Sequence, residues 1–218
     1  IRSCRILAMS HRLGHVLMGE GDQPINLLER LIAHTRSTAN FSIYYGEGKD
    51  QYDIRGRTAH EAIFNTKDGA FRCPNSQQGF SGFTTWTRGL AWAMLGFPEQ
   101  LEFLGTIADA ELAPLGGRAE IESYLLKAAR ATCDFYIENT ATNGIPYWDT
   151  GAPGLVHMGD YLNRPADPYN AHEPVDSSAA AIGAQGLLRL GKFLRDKGET
   201  PDGDRYWQAG LTTLESDR

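Results

Sequence analysis

The 218-residue chain is 41% hydrophobic, enough apolar material for one large domain or two small ones. Its 27 acidic residues outnumber 21 basic ones and leave a formal net charge of -6, which argues against the clustered Lys and Arg of a nucleic-acid partner. No apolar run is long enough for a transmembrane helix, so no membrane partner is expected.

The start, Ile1-Arg2-Ser3-Cys4-Arg5, lacks a Met and does not read as a signal peptide. Ile6, Leu7, Leu13, Val16 and Leu17 recur at helical spacing, and Gly19-Glu20-Gly21-Asp22 ends the run. After Pro24, a residue tolerated in a first turn, Leu27, Leu28, Leu31 and Ile32 open a second helix. The two form an expected antiparallel hairpin. Tyr44-Tyr45-Gly46-Glu47-Gly48 breaks the pattern. The run Thr58 to Phe64 reads as a short strand, Asn65 to Gly69 as a turn, and Ala70 to Cys73 as the partner strand. Helices resume from about Thr87 through Leu104, and from about Arg118 to Asn139. A loop rich in Pro, Gly, Asp and His fills Asn143 to Pro174. Asp176-Ser177-Ser178 offers capping chemistry for an Ala-rich helix through Leu194, and a last helix begins near Pro201. The chain ends at Arg218, just after that helix, and truncation at both ends is the expectation. Paired helices with one loop-rich end suggest an α/α toroid.

Cys4, Cys73 and Cys133 form no CxxC pair, so no zinc site is expected, and all three read as small buried or half-buried side chains. No GxGxxG, P-loop, HExxH or GxSxG occurs, and no cofactor is expected. The densest chemistry lies between Gln77 and Trp92. Arg88 and Trp92, four apart on a helix, share a face. An Arg fork fits a carboxylate, a Trp gives a flat wall to a sugar ring, and Gln78 both donates and accepts to hydroxyls. Together they suit an acidic sugar. Equally, Trp86 and Trp92 are core residues and Arg88 pairs with a buried Asp or Glu. Asp176 reads as a helix N-cap, and His60 stands alone in its segment.

Trp86-Thr87-Arg88-Gly89-Leu90-Ala91-Trp92 resembles the W-x-R-G-Q-A-W signature of the unsaturated glucuronyl hydrolases, glycoside hydrolase family 88, with Leu90 in place of Gln. Pro146-Tyr147-Trp148-Asp149 resembles the family's P-Y-W-D segment. The run from Asp176 to Ile182 resembles its D-S-S-A-A-A-I helix start, and Gln78-Gly79 its H-Q-G. The resemblance runs in order from about Ile1 to Leu194. It implies an all-α (α/α)6 six-hairpin barrel, of which residues 1–218 form a single domain holding about three hairpins. It implies release of 4,5-unsaturated glucuronic acid from lyase-generated oligosaccharides, by protonation of the C4=C5 bond and addition of water. Such chemistry needs a positioned carboxyl group and lies outside the two-carboxylate displacement of ordinary glycosidases. The implied partner is an unsaturated uronic-acid oligosaccharide, and the implied substrate-binding residues are His60, Gln78, Trp86, Arg88 and Trp92. The family's catalytic Asp aligns with Arg2, which cannot exchange a proton at working pH, and a second functional Asp aligns upstream of residue 1. The catalytic residue is therefore unassigned in this chain. The related unsaturated rhamnogalacturonyl hydrolases share the fold and part of the pattern. A non-catalytic sugar-binding barrel is the reading that Arg2 favours.

Overall fold

The computed structural model describes residues 1–217, and six long helices carry its architecture. In chain order the helices are α1 (Cys4–Arg12), α2 (Leu27–Phe41), α3 (Thr87–Leu104), the single-turn α4 (Asp109–Leu112), α5 (Arg118–Glu138), α6 (Ser177–Asp196) and α7 (Thr200–Ser216). α1 pairs with α2, α3 with α5, and α6 with α7; α3 also packs on α1 and α6, and α2 on α5. One apolar core runs through these contacts and includes Leu31, Leu101, Leu125, Leu187, Tyr136 and Tyr206.

Local chemistry sets the helix ends. The Asn26 side chain accepts from the backbone N–H groups of Leu28 (3.0 Å) and Glu29 (3.2 Å), so α2 begins after it. Pro24 lies earlier, in a strand and not in the helix's first turn. Asp176 caps α6 by accepting from Ala179 N at 2.8 Å, as its sequence context suggests.

α3 is apolar on several faces because three long helices surround it. It carries Pro98 in its interior, and a proline has no N–H to give the carbonyl four residues earlier, that of Met94. Gly186 of α6 packs against this carbonyl: a methyl group there would stand 2.5 Å from Met94 O. Lacking a side chain, Gly186 lets α3 and α6 approach. Gly191 does the same for α6 and α7, its missing methyl falling 2.8 Å from Gly203 O and from Trp207 N.

Two small antiparallel hairpins decorate the helices. β1 (Leu17–Met18) pairs with β2 (Pro24–Ile25), Leu17 opposite Ile25. β3 (Glu61–Phe64) pairs with β4 (Phe71–Asn75), Ile63 opposite Cys73. The second hairpin docks on the end of α2, where Phe41 meets the rings of Phe64 at 4.9 Å and Phe71 at 5.5 Å.

Two readings of the sequence need correction. The first helix stops at Arg12, where Gly14 takes a positive φ of 68°. Leu13, Val16 and Leu17 continue the apolar spacing but are exposed, at 67%, 72% and 46%. Cys73 is exposed on β4, although Cys4 and Cys133 are buried; all three are free thiols. The four-residue α4 is too short to impose a period. Among the described residues no helix is long and apolar enough to cross a membrane.

Candidate functional site

The site is assembled at the loop-rich end by three segments. The first is the stretch after α2. Thr58 bridges to Ile43, and its N–H donates to Thr85 Oγ1 at 3.1 Å. Arg57 is the strut beneath it. Only 2% exposed, it lies over the Tyr44 ring at 3.6 Å, with Nη2 2.6 Å from Asp50 Oδ2 and Nη1 3.2 Å from Gly82 O. Among the described residues its buried Nε has no partner. Burial raises the Tyr44 phenol above its ordinary range, against the opposing charge of Arg57.

These contacts place His60. Its Nδ1 accepts from the backbone N–H groups of Gln77 (3.2 Å) and Gln78 (3.3 Å). A nitrogen that accepts twice carries no proton, so the ring proton sits on Nε2, which is left as a donor. The imidazole meets Trp86 edge-on at 4.8 Å.

The second segment is the start of α3. Trp86 bridges to Asp149, and Thr87 N donates to Trp148 O at 3.0 Å. The Trp86 ring folds back over Gly89, where a methyl would sit 2.8 Å from it. Arg88 reaches away toward α6. Its Nε lies 3.0 and 3.3 Å from the two Asp176 oxygens, and its Nη2 3.0 Å from Oδ2. Asp176 is buried while the Arg88 side chain is 44% exposed. The guanidinium stands 5.6 Å over the Trp86 ring.

The third segment is the loop between α5 and α6, held by carboxylates. Asp149, fully buried, accepts from Phe80 N and Gly151 N, both at 2.9 Å. Glu173 accepts from Trp148 Nε1 at 2.6 Å and from Gly154 N at 2.5 Å.

His60, Gln78, Trp86 and Trp92 line one cavity of about 420 Å³, together with Arg2 and His34. Arg88 is not among its lining residues; it is the residue that pairs with a buried carboxylate. Trp86 and Trp92 are half-buried, so they are walls and not core. Arg2 enters the same cavity, its guanidinium 4.4 Å over the Trp92 ring. Among the described residues no Asp or Glu lines this cavity. A larger cavity of about 620 Å³ shares Ile1, Arg2, His34 and Trp92 with it. It gathers none of His60, Gln78 and Trp86, and its one carboxylate, Glu99, pairs with Arg5. A cation, a histidine donor, an amide and two indole faces suit a flat anionic ring. Asp149 and Asp176 are already engaged by protein donors. Among the described residues no cluster of three His, Cys, Asp or Glu side chains could hold a metal ion.

His34 escaped the sequence reading, as did Thr38, which also lines the cavity. The signal was present: they lie four apart on α2 and so share a face. Arg57 gave none, since a buried Arg is the exception.

No family model matches the chain. It is 29% identical over 140 residues to an unsaturated glucuronyl hydrolase of Formosa agariphila, covering 63% of this chain and 27% of that protein. It is 28% identical over 155 residues to an unsaturated glucuronyl hydrolase of Bacillus sp. strain GL1, covering 71% of this chain and 32% of that one. The crystal structure of the unsaturated glucuronyl hydrolase from Bacillus sp. GL1, described as responsible for glycosaminoglycan degradation, superposes with a TM-score of 0.64 at 22% identity. That match covers 98% of this chain and 43% of the solved one. The chain thus spans about a third or less of the curated relatives it matches, and its three helix pairs have the fold of part of an (α/α)6 six-hairpin barrel.

Proposed function

We propose that this chain, a relative of the unsaturated glucuronyl hydrolases in sequence and in fold, holds the sugar-recognition face of such an enzyme within residues 1–218 as a single domain. Its ligand is a 4,5-unsaturated glucuronic acid at the end of a lyase-generated oligosaccharide. The observation that carries this reading is the meeting of His60, Gln78, Trp86 and Trp92 around one cavity, from segments that run from just before β3 to the first turns of α3. Trp86 and Trp92 bound the ring, His60 Nε2–H and Gln78 meet its oxygens, and Arg2 supplies positive charge for its carboxylate. Arg88, joined to Asp176 and lying over Trp86, orients that wall or meets the carboxylate with the N–H groups it has left.

The enzyme's reaction protonates the C4=C5 bond and adds water, which requires a group that can give and take a proton. Arg2 cannot. A second reading, acidic-sugar binding without turnover, is supported by Arg2 lying over Trp92 inside the cavity. Both are tested by mixing the protein with unsaturated disaccharides from glycosaminoglycan and pectin lyases, while following the ultraviolet absorbance of the conjugated double bond and, in parallel, binding by calorimetry. Binding without absorbance loss is the expected result for this sequence. Absence of binding to every such disaccharide rejects the proposal. Preference for the pectin-derived sugars would move the assignment to the rhamnogalacturonyl hydrolases.

A further inference from the structure

The Gln78 turn and Trp86 both line the cavity, yet neither belongs to a regular element there. What joins them is Asp149. One carboxylate oxygen, Oδ2, accepts from Phe80 N at 2.9 Å, two residues after Gln78. The other, Oδ1, accepts from Gly151 N at 2.9 Å and ties the side chain to its own turn. The Asp149 backbone meanwhile bridges to Trp86, and Thr150 N donates to Thr85 O at 3.0 Å. Gly79 fills the gap between these parts. A methyl on it would stand 2.8 Å from Asp149 Oδ2, 2.8 Å from Trp86 Cβ and 2.6 Å from Ser76 Oγ. The turn therefore rests directly on the carboxylate and on the base of the indole. His60 reads the result, because its Nδ1 accepts from Gln77 N and Gln78 N in the same turn.

We propose that Asp149 is a positioning residue, whose buried carboxylate seats the turn from Gln77 to Phe80 against Trp86 and thereby sets where Gln78 lies in the cavity wall and which tautomer His60 adopts. The consequence for sugar affinity rests on the function proposed above; the consequence for His60 does not. Asp149 does not touch the ligand. Asp149→Asn keeps the size of the side chain but turns an NH2 toward one of the two N–H donors, so one bond is lost and two donors face each other.

The test compares the unaltered protein with Asp149→Asn and with Gly79→Ala, which leaves the carboxylate in place and wedges the same contact. Melting temperature, the long-range proton–nitrogen spectrum of the His60 ring, and affinity for an unsaturated disaccharide are measured on each. The unaltered protein is expected to show a single Nε2–H tautomer at His60. Both variants are expected to show mixed tautomers and about tenfold weaker binding. A residue that only stabilises the fold would lower the melting temperature and leave the His60 spectrum and affinity as they were; that outcome overturns the proposal. So does a changed His60 spectrum with unchanged affinity. If the unaltered protein binds no disaccharide, the functional reading fails and the His60 spectra alone decide the positioning role. If Asp149→Asn does not fold, Gly79→Ala decides.

Discussion

The helical scaffold and the loop-rich end are held together by different forces. In the scaffold, apolar side chains from α1, α2, α3, α5, α6 and α7 fill one core, a contribution that is non-directional and spread over many atoms. At the loop end, single carboxylates collect N–H groups from the loops around them, some near in the chain and some far. Asp53 accepts four, from Tyr45, Gly46, Glu47 and Lys49, at 2.7–3.1 Å. Asp149 accepts two, Glu173 accepts one with an indole N–H, and Asp176 accepts one with an arginine. The scaffold fails by losing volume, and the loop end fails by losing an acceptor atom.

That contrast is open to measurement, beginning with the greatest effect. Leu101→Ala in the core of α3 is expected to cost about 2–5 kcal/mol of folding stability, because the buried side chain would leave a void that its neighbours fill only in part. Denaturant unfolding checks it; a loss below about 1 kcal/mol would mean that the core is loosely packed there. Arg88→Lys is expected to weaken recognition of an unsaturated uronide by about 1.5–3 kcal/mol, since an ammonium cannot reproduce the fork on Asp176. Affinity, beside the melting temperature, separates the cases: a large melting loss with unchanged binding would confine Arg88 to holding the start of α6. Gly186→Ala is expected to cost about 1–3 kcal/mol, because the added methyl meets a backbone carbonyl that cannot swing aside. A neutral result would show that α3 and α6 can slide apart freely.

The smallest expected effect is local and depends on pH. Burial pushes the Asp53 carboxyl up, but its four N–H donors outweigh that and hold it below the ordinary carboxylate range. A group depressed in the folded state stabilises it above the unfolded pKa, about 3.9, and that contribution is lost as pH falls through the folded value. Asp134 behaves likewise: burial raises it, and Tyr206, Arg55 and Arg205 more than compensate. Between neutral pH and about 4.5 no change is expected from either. Below that, the amide signals of the stretch 45–49 are expected to shift in a pH titration by NMR, and Asp53→Asn abolishes the dependence. Shifts beginning near neutrality would assign the transition to another group.

The reading of the scaffold came from apolar periods, which work where one face meets a core. They succeeded for α3, α5, α6 and α7, all long and packed on neighbours. They overran α1 because Leu13, Val16 and Leu17 keep the spacing while standing in solvent. At the loop end no period exists. His60 and Gln78 were placed by resemblance to a family, since nothing in their neighbours' polarity says that Arg57 and Asp149 bring them together. The spacing of Arg88 and Trp92 correctly put both on α3, but not their separate roles: Trp92 walls the cavity, and Arg88 is committed to Asp176. Such pairings depend on atoms far apart in the chain and leave no local trace.

The Pro98 in α3 has a consequence for how this chain can vary. By withholding an N–H it leaves the Met94 carbonyl turned toward α6, and Gly186 is the residue that meets it, close enough for a Cα–H to approach the oxygen. A non-proline residue at 98 could recapture that carbonyl within α3 and change the room at 186. The two positions therefore form an epistatic pair. In a double-mutant cycle Pro98→Ala and Gly186→Ala are expected to depart from additivity, so that a history of substitution at one alters which residues the other can accept.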